Sequence, residues 1–204
     1  GALREGLLYD HIGRHHHEDV RERSIRALMQ RYHVDVEQGQ DIEATALVCL
    51  SKTNLDTSSN RNLLSWSARL HEIGLAISHS QFQKHGSYLI KNSDLLGFNH
   101  REQQLLALLV RGHRRKLPLA ELDAFNPRRK RQLTSLIVLL RLAVLLHHSH
   151  QADLVPEFEL ELKPEKHLKL VFPPQWLEQH PLTRTDLEQE ASYLQAIGIE
   201  LEYK

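Results

Sequence analysis

A single cysteine, Cys49, stands in the whole chain of 204 residues. It excludes an internal disulfide, and such sparing use of thiols fits a reducing compartment. Long hydrophobic runs are missing too. The longest apolar stretch, Leu136 to Leu146, is interrupted by Arg141, whereas a bilayer span needs about 20 apolar residues. The N-terminus opens GALREG, without the apolar segment of a secretory signal. These absences predict a cytoplasmic protein with no transmembrane segment. Net charge is absent as well: 26 basic residues balance 26 acidic ones. That predicts no global affinity for polyanions, and no nucleic-acid partner. There is no glycine-rich phosphate loop, no internal repeat and no low-complexity segment. Paired acidic residues at a catalytic spacing are also missing.

What is present is a core and an asymmetry. The apolar fraction of 41% suffices for one large domain or two small ones. Residues 1–150 carry 21 Lys+Arg against 15 Asp+Glu, a net of +6, and residues 151–204 carry 5 against 11, a net of −6. Two units are therefore expected, the basic one being the partner for an anion. Helical periodicity marks the first unit. Helices are expected at Val20 to Tyr32 (capped by Asp19), Val36 to Leu50, Leu63 to Ile73 (with Gly74 as its C-cap), within His79 to Asn92, at Arg101 to Gly112, and at Arg129 to His148. Asn54 to Asn60 and Asp94 to Asn99 read as loops. The pattern then changes. Phe158 to Leu162 and Leu168 to Phe172 alternate with period two around the turn Pro164-Glu165-Lys166, which predicts a β-hairpin. A helix from Pro181 to Ala196 follows, closed by Gly198, and then a strand at Ile199 to Tyr203. The fold class expected is mainly α: an all-helical unit followed by a small α+β unit of hairpin, helix and strand.

Histidines are many, 15 in all. His15-His16-His17 has neither tag nor ligand spacing and reads as a solvated approach to a helix. The tetrapeptide His71-Glu72-Ile73-Gly74 matters more. A helix ending in an adjacent His and acidic residue, followed by further histidines, is a common frame for a divalent metal. Four histidines, His71, His79, His85 and His113, could hold zinc. Alternatively, His71 and Glu72 form a hydrogen-bonded pair that buttresses the helix core. Basic flanks oppose a cation there. Arg111, His113, Arg114, Arg115 and Lys116 cluster at one helix end, with Lys84 and His85 on another. They suit an anion, or else an ordinary solvated helix end favoured by the dipole. Arg128-Arg129-Lys130-Arg131 opens a helix, where cations oppose the dipole; a polyanion, an acidic surface or plain solvent could face it. Arg141, inside the most apolar helix, needs a partner, and Glu72 is the candidate.

Four stretches carry a family resemblance: Ala2-Leu3-Arg4-Glu5-Gly6-Leu7-Leu8-Tyr9-Asp10, then LLSWSARLHEIGLAISHSQFQKHGSYLIKNSDLLGF, LVRGHRRKL and LIVLLRLAVLL. Together they resemble the C-terminal half of the bacterial exopolyphosphatase and guanosine pentaphosphate phosphohydrolase family. The resemblance implies residues 1–14 as a linker from the end of an actin-like catalytic region that lies outside this chain. It implies a helical domain at 15–150 related to the HD phosphohydrolases, and a small α+β domain at 151–204. An active HD site takes a first His, a His-Asp pair and a late Asp. By the comparison these positions hold Gln38, His71 with Glu72, and Val144. Val has no donor atom and Gln is a weak neutral ligand, so the metal site is degenerate and no cofactor is expected in this chain.

The resemblance also implies roles. The complete enzyme removes terminal phosphate from inorganic polyphosphate, or converts pppGpp to ppGpp, with Mg2+. This region contributes a polyphosphate path and a homodimer interface, works with its own N-terminal actin-like domains, and carries no catalytic residue. The expected polyphosphate-binding residues are His79, Lys84, His85, Arg111, His113, Arg114, Arg115 and Lys116. The competing expectation is an autonomous metal-dependent HD-type phosphohydrolase acting on nucleotides. A pure protein-interaction domain has no specific feature in its favour.

Overall fold

A computed structural model of the chain describes residues 20–148 and 155–204. Asp19 and the triple histidine lie outside them, as does the Ala2–Asp10 stretch. Helix α1 covers residues 20–31. It buries Ile25, Leu28 and Met29, one helical stripe. Helix α2 (Val36–Ser51) starts where the Asp35 side chain accepts from Gln38 N. Its Ile42, Ala46, Cys49 and Leu50 face the core. Arg69 on the next helix ties these pieces together. It reaches Glu22 of α1 at 2.6 Å and Glu43 of α2 at 2.9 Å.

Helix α3 runs Ser58–Leu70, so it begins inside the stretch expected to be a loop. The reason is local: the Thr57 side chain accepts from Asn60 N and caps the helix early. The helix also stops before Ile73, and a 3-10 turn, Ile73–Ala76, follows. Gly74 is thus no C-cap. It allows backbones to touch: a Cβ there would lie 1.9 Å from Phe82 O and 2.5 Å from Gly86 N. Those atoms belong to α4 (Phe82–Lys91), which packs against α5 (His100–Gly112), capped by Asn99. A short α6 (Leu119–Leu122) follows Pro118.

Helix α7 (Pro127–Leu146) is central. Asn126 caps it, Pro127 sits in its first turn, and every residue from Leu133 to Ala143 is buried. Among the described residues no helix is long and apolar enough to cross a membrane. The remainder is a three-stranded sheet with two helices. Strands β1 (Glu159–Lys163) and β2 (His167–Val171) pair antiparallel, as the alternation requires. Helices α8 (Trp176–Gln179) and α9 (Pro181–Gln195) then lead to β3 (Glu200–Tyr203), which pairs parallel with β2. Gly198 turns the chain into β3 with φ +83°, a conformation that suits glycine. Leu160, Leu168 and Leu170 of the sheet, with Leu187 and Leu194 of α9, join the same buried cluster as the helices.

Candidate functional site

The ends of α3 and α5 bring two histidines together. His71 is the C-cap of α3 and His113 that of α5. Each ring turns back on its own helix: His71 Nδ1 donates to Ala68 O at 2.6 Å and His113 Nδ1 to Val110 O at 2.5 Å. A carbonyl can only accept, so the proton sits on Nδ1 and Nε2 is a bare lone pair. The rings meet edge to face at 5.2 Å. Both are buried, with 2% and 3% exposure. Burial is the first cause that lowers both proton affinities. For His71 the Glu72 carboxylate opposes the shift, whereas for His113 the neighbouring His71 adds to it. His113 is pushed well below the ordinary imidazole range and is neutral at pH 7.

These rings line a cleft of about 630 Å³ between the helical body and α9. All four positions that the resemblance maps onto an HD site, Gln38, His71, Glu72 and Val144, reach its wall. Glu72 stands 3.6 Å from His71 Nε2, outside hydrogen-bond range. The opposite wall comes from α9, through Asp186, Gln189, Glu190 and Tyr193. Arg141 locks that wall in place. Its Nε donates to Glu190 Oε1 at 2.7 Å, its Nη1 to Gly112 O at 2.8 Å, and its guanidinium lies 5.3 Å from the Tyr193 ring centre. The expected partner, Glu72, is not the one used. A carboxylate from α9 reaches the buried charge instead, and the carbonyl end of α5 adds the acceptor that completes it. His148 pairs with Asp186 at 3.1 Å at the rim.

The donor set does not fit a divalent ion. Val144 offers no donor and Gln38 only a neutral one. Among the described residues no three His, Cys, Asp or Glu side chains come together as a metal site. Of the four histidines weighed for zinc, His71, His79 and His113 line the cleft, where His79 packs on Phe82 at 5.8 Å, and His85 lines neither the cleft nor the trough beside it.

That trough, about 550 Å³, opens beside the cleft and shares His79, Arg114, Arg115 and Tyr193 with it. Lys84, Arg111 and Lys116 also line it, and no carboxylate does. Lys84 and Arg111 continue into a further depression with Lys91 and Tyr88. Arg114 is held without an acidic partner among the described residues. Its guanidinium lies 4.3 Å from the Phe82 ring centre, and Nη1 donates to Gln83 Oε1 at 3.1 Å. Burial, and then the charge of Arg115, weaken its hold on its proton. Arg115 itself is left-handed, φ +62°, as is Gln81 at φ +56° on the same trough. The second basic run differs. Lys130 pairs with Asp123, and Arg129 Nη1 donates to Gln132 Oε1.

Residues 20–191 match the family described as Ppx/GppA phosphatase, domain III. The chain belongs to the Ppx/GppA phosphatase family. One relative is the guanosine-5'-triphosphate,3'-diphosphate pyrophosphatase of Pseudoalteromonas translucida (strain TAC 125). It is 35% identical over 205 residues, which cover 98% of this chain and 41% of that protein. The chain thus spans about two fifths of the length of that relative. Within this Ppx/GppA domain, sequence reasoning overlooked the α9 wall. The signal was available: Asp186, Glu190 and Tyr193 recur at helical spacing along one face of α9.

Proposed function

We propose that this chain is a phosphate-binding, non-catalytic region of a Ppx/GppA phosphohydrolase. Inorganic polyphosphate, or the phosphates of pppGpp, lie along the basic trough. The observation that carries this reading is Arg114. It is braced by Phe82 and Gln83, repelled by Arg115 and offered no described carboxylate. A phosphate would remove that repulsion and accept charge-assisted hydrogen bonds. Arg115, Lys116, Arg111 and Lys84 extend the same chemistry, with His79 as a further hydrogen-bonding group. His113 contributes no charge and serves as the floor, and His85 stands aside. The complete enzyme would hydrolyse terminal phosphate with Mg2+ held by residues outside this chain, and would act in the cytoplasm as a homodimer. An autonomous HD hydrolase is disfavoured, because Gln38 and Val144 leave the cleft without the ligands such chemistry needs.

The test is binding. Polyphosphate should bind the chain with an affinity that falls steeply with salt, as for any ligand held by spaced phosphate contacts. Arg114→Ala with Arg115→Ala should weaken binding about tenfold or more at low salt. It should also flatten the slope of log K against log salt by about 2. An unchanged slope would mean the phosphates lie elsewhere. Phosphate release by the chain alone, lost in His71→Ala, would favour the hydrolase.

A further inference from the structure

Beyond the trough, the further depression that Lys84 and Arg111 share has a different make-up. It measures about 450 Å³ and lies between α4 and α5, with the connection from α6 to α7 at its side. Helix α4 presents Lys84, Tyr88 and Lys91 to it, and α5 presents Gln104, Leu108 and Arg111. Both sets recur at i, i+4 and i+7, the spacing of one helical face. That span is about 10 Å along a helix, close to the length of about three residues of extended chain. Charge and apolar surface alternate along it. Lys84 and Arg111 stand at the trough end, Lys91 at the other, and Tyr88 and Leu108 come between them on their helices. Ala124 and Phe125 add apolar wall. An isolated exposed apolar residue needs no explanation. Here, however, the Tyr88 side chain is 62% exposed in the midst of three cations, none of which makes an ion pair among the described residues.

A continuing phosphate chain matches this surface poorly. It has no apolar group for Tyr88, Leu108 and Phe125, and Glu121 of the same wall would repel it. A peptide supplies both things that are missing: apolar side chains for the middle, and backbone N–H donors for Glu121 and Gln104. We propose that this depression docks an acidic segment of a partner protein, in which a bulky apolar side chain is flanked by carboxylates. The apolar side chain packs on Tyr88 and Leu108, an aromatic and aliphatic anchor of the kind that dominates interfaces. The carboxylates take charge-assisted hydrogen bonds from Lys91 at one end and from Lys84 and Arg111 at the other. Because Lys84 and Arg111 also line the trough, a docked partner withdraws two cations from it, so partner and polyphosphate compete. The competition rests on the phosphate-binding reading above; the docking does not.

The experiment follows a fluorescein-labelled hexapeptide, Glu-Asp-Trp-Leu-Glu-Asp, on the intact chain by fluorescence anisotropy at low ionic strength. Two control peptides carry alanine for both apolar residues, or amides for all the acids. The parent peptide should bind at least about tenfold more tightly than either control. Lys91→Glu should weaken it about tenfold or more, and Tyr88→Ala about fivefold. Both side chains are exposed and neither lines the trough, so fold and polyphosphate affinity should be kept. Unlabelled polyphosphate should displace the peptide. Equal binding of all three peptides, or indifference to both substitutions, would overturn the docking site. Loss of polyphosphate affinity in Lys91→Glu would make the depression a continuation of the phosphate path and overturn it too. Self-association of the chain that Lys91→Glu abolishes would make a second copy the occupant, with the same consequence. Peptide binding by a chain that takes no polyphosphate would sink the phosphate reading and its competition, and leave the docking site standing.

Discussion

The cleft and the trough touch at Arg114 and Arg115, but they are built to opposite rules. In the cleft the buried charge is matched: Arg141 is 3% exposed and meets both a carboxylate and a helix carbonyl. In the trough, half-exposed and exposed cations stand together with no acid among the described residues that line it. A protein that needed only stability would intersperse the signs. The contrast separates a cation that holds the fold from cations that, on the reading proposed above, take a phosphate ligand. Substitution of Arg141 should be read in melting curves, and substitution of Arg114 or Arg115 in binding isotherms.

The largest expected effect tests the matched side. Arg141→Ala leaves the largely covered Glu190 carboxylate without its cation and the Gly112 carbonyl without its donor, and unlinks α9 from α7. Breaking such a pair costs about 3–5 kcal/mol. The domain should lose that much stability by denaturant titration, with α9 loosening first in hydrogen exchange. By contrast, the paired substitution of Arg114 and Arg115 should change stability by no more than about 0.5 kcal/mol each. If Arg141→Ala were as mild as that, the two regions would not differ in the way described.

The histidine pair gives a second test, with a sign. Both native proton affinities lie below the unfolded value near 6.5, chiefly through burial. As pH falls through 6.5, the unfolded chain takes up protons that the native rings refuse. Stability is therefore full above about pH 7 and declines as pH drops toward the native values. Each ring adds a slope of up to about 1.4 kcal/mol per pH unit. His113→Leu should remove one such share between pH 6.5 and 5. A slope equal to that of the parent would mean that His113 takes up a proton in the folded protein, and that the inner cleft holds charge after all.

How much of this was legible in the sequence depends on range. Caps such as Asp35 and Asn99 act within three residues, so α2 and α5 stand close to their expected positions. Thr57 works the same way, but it sits in a polar stretch that reads equally well as a loop. Gly74 looked like a helix end because its true reason, the approach of Phe82 O and Gly86 N, comes from another helix. The short α6 and α8 carry too few residues for periodicity to speak. Gln38, His71, Glu72 and Val144 were identifiable as one constellation through the family resemblance. Glu190 as the partner of Arg141 was not, because 49 residues, among them the whole β-hairpin, separate them.

The smallest expected effect is the most discriminating. Arg115 holds φ +62°, where a side chain costs roughly 1–2 kcal/mol and glycine nothing. Nothing in the fold requires an arginine at that turn: its side chain is exposed and makes no described ion pair. On the phosphate-binding reading the strain is retained because the position places a cation at the trough, a pattern expected where ligand binding shapes the backbone. Arg115→Gly should therefore leave stability unchanged or raise it by up to about 1 kcal/mol, after the entropic cost of glycine. Polyphosphate affinity should fall by the same factor in Arg115→Gly and Arg115→Ala. A thermal melt and a binding isotherm on the same sample decide it. If the glycine variant were less stable than its parent, Arg115 would belong with Arg141 as a structural residue, and the division between the two regions would fail at the point where they meet.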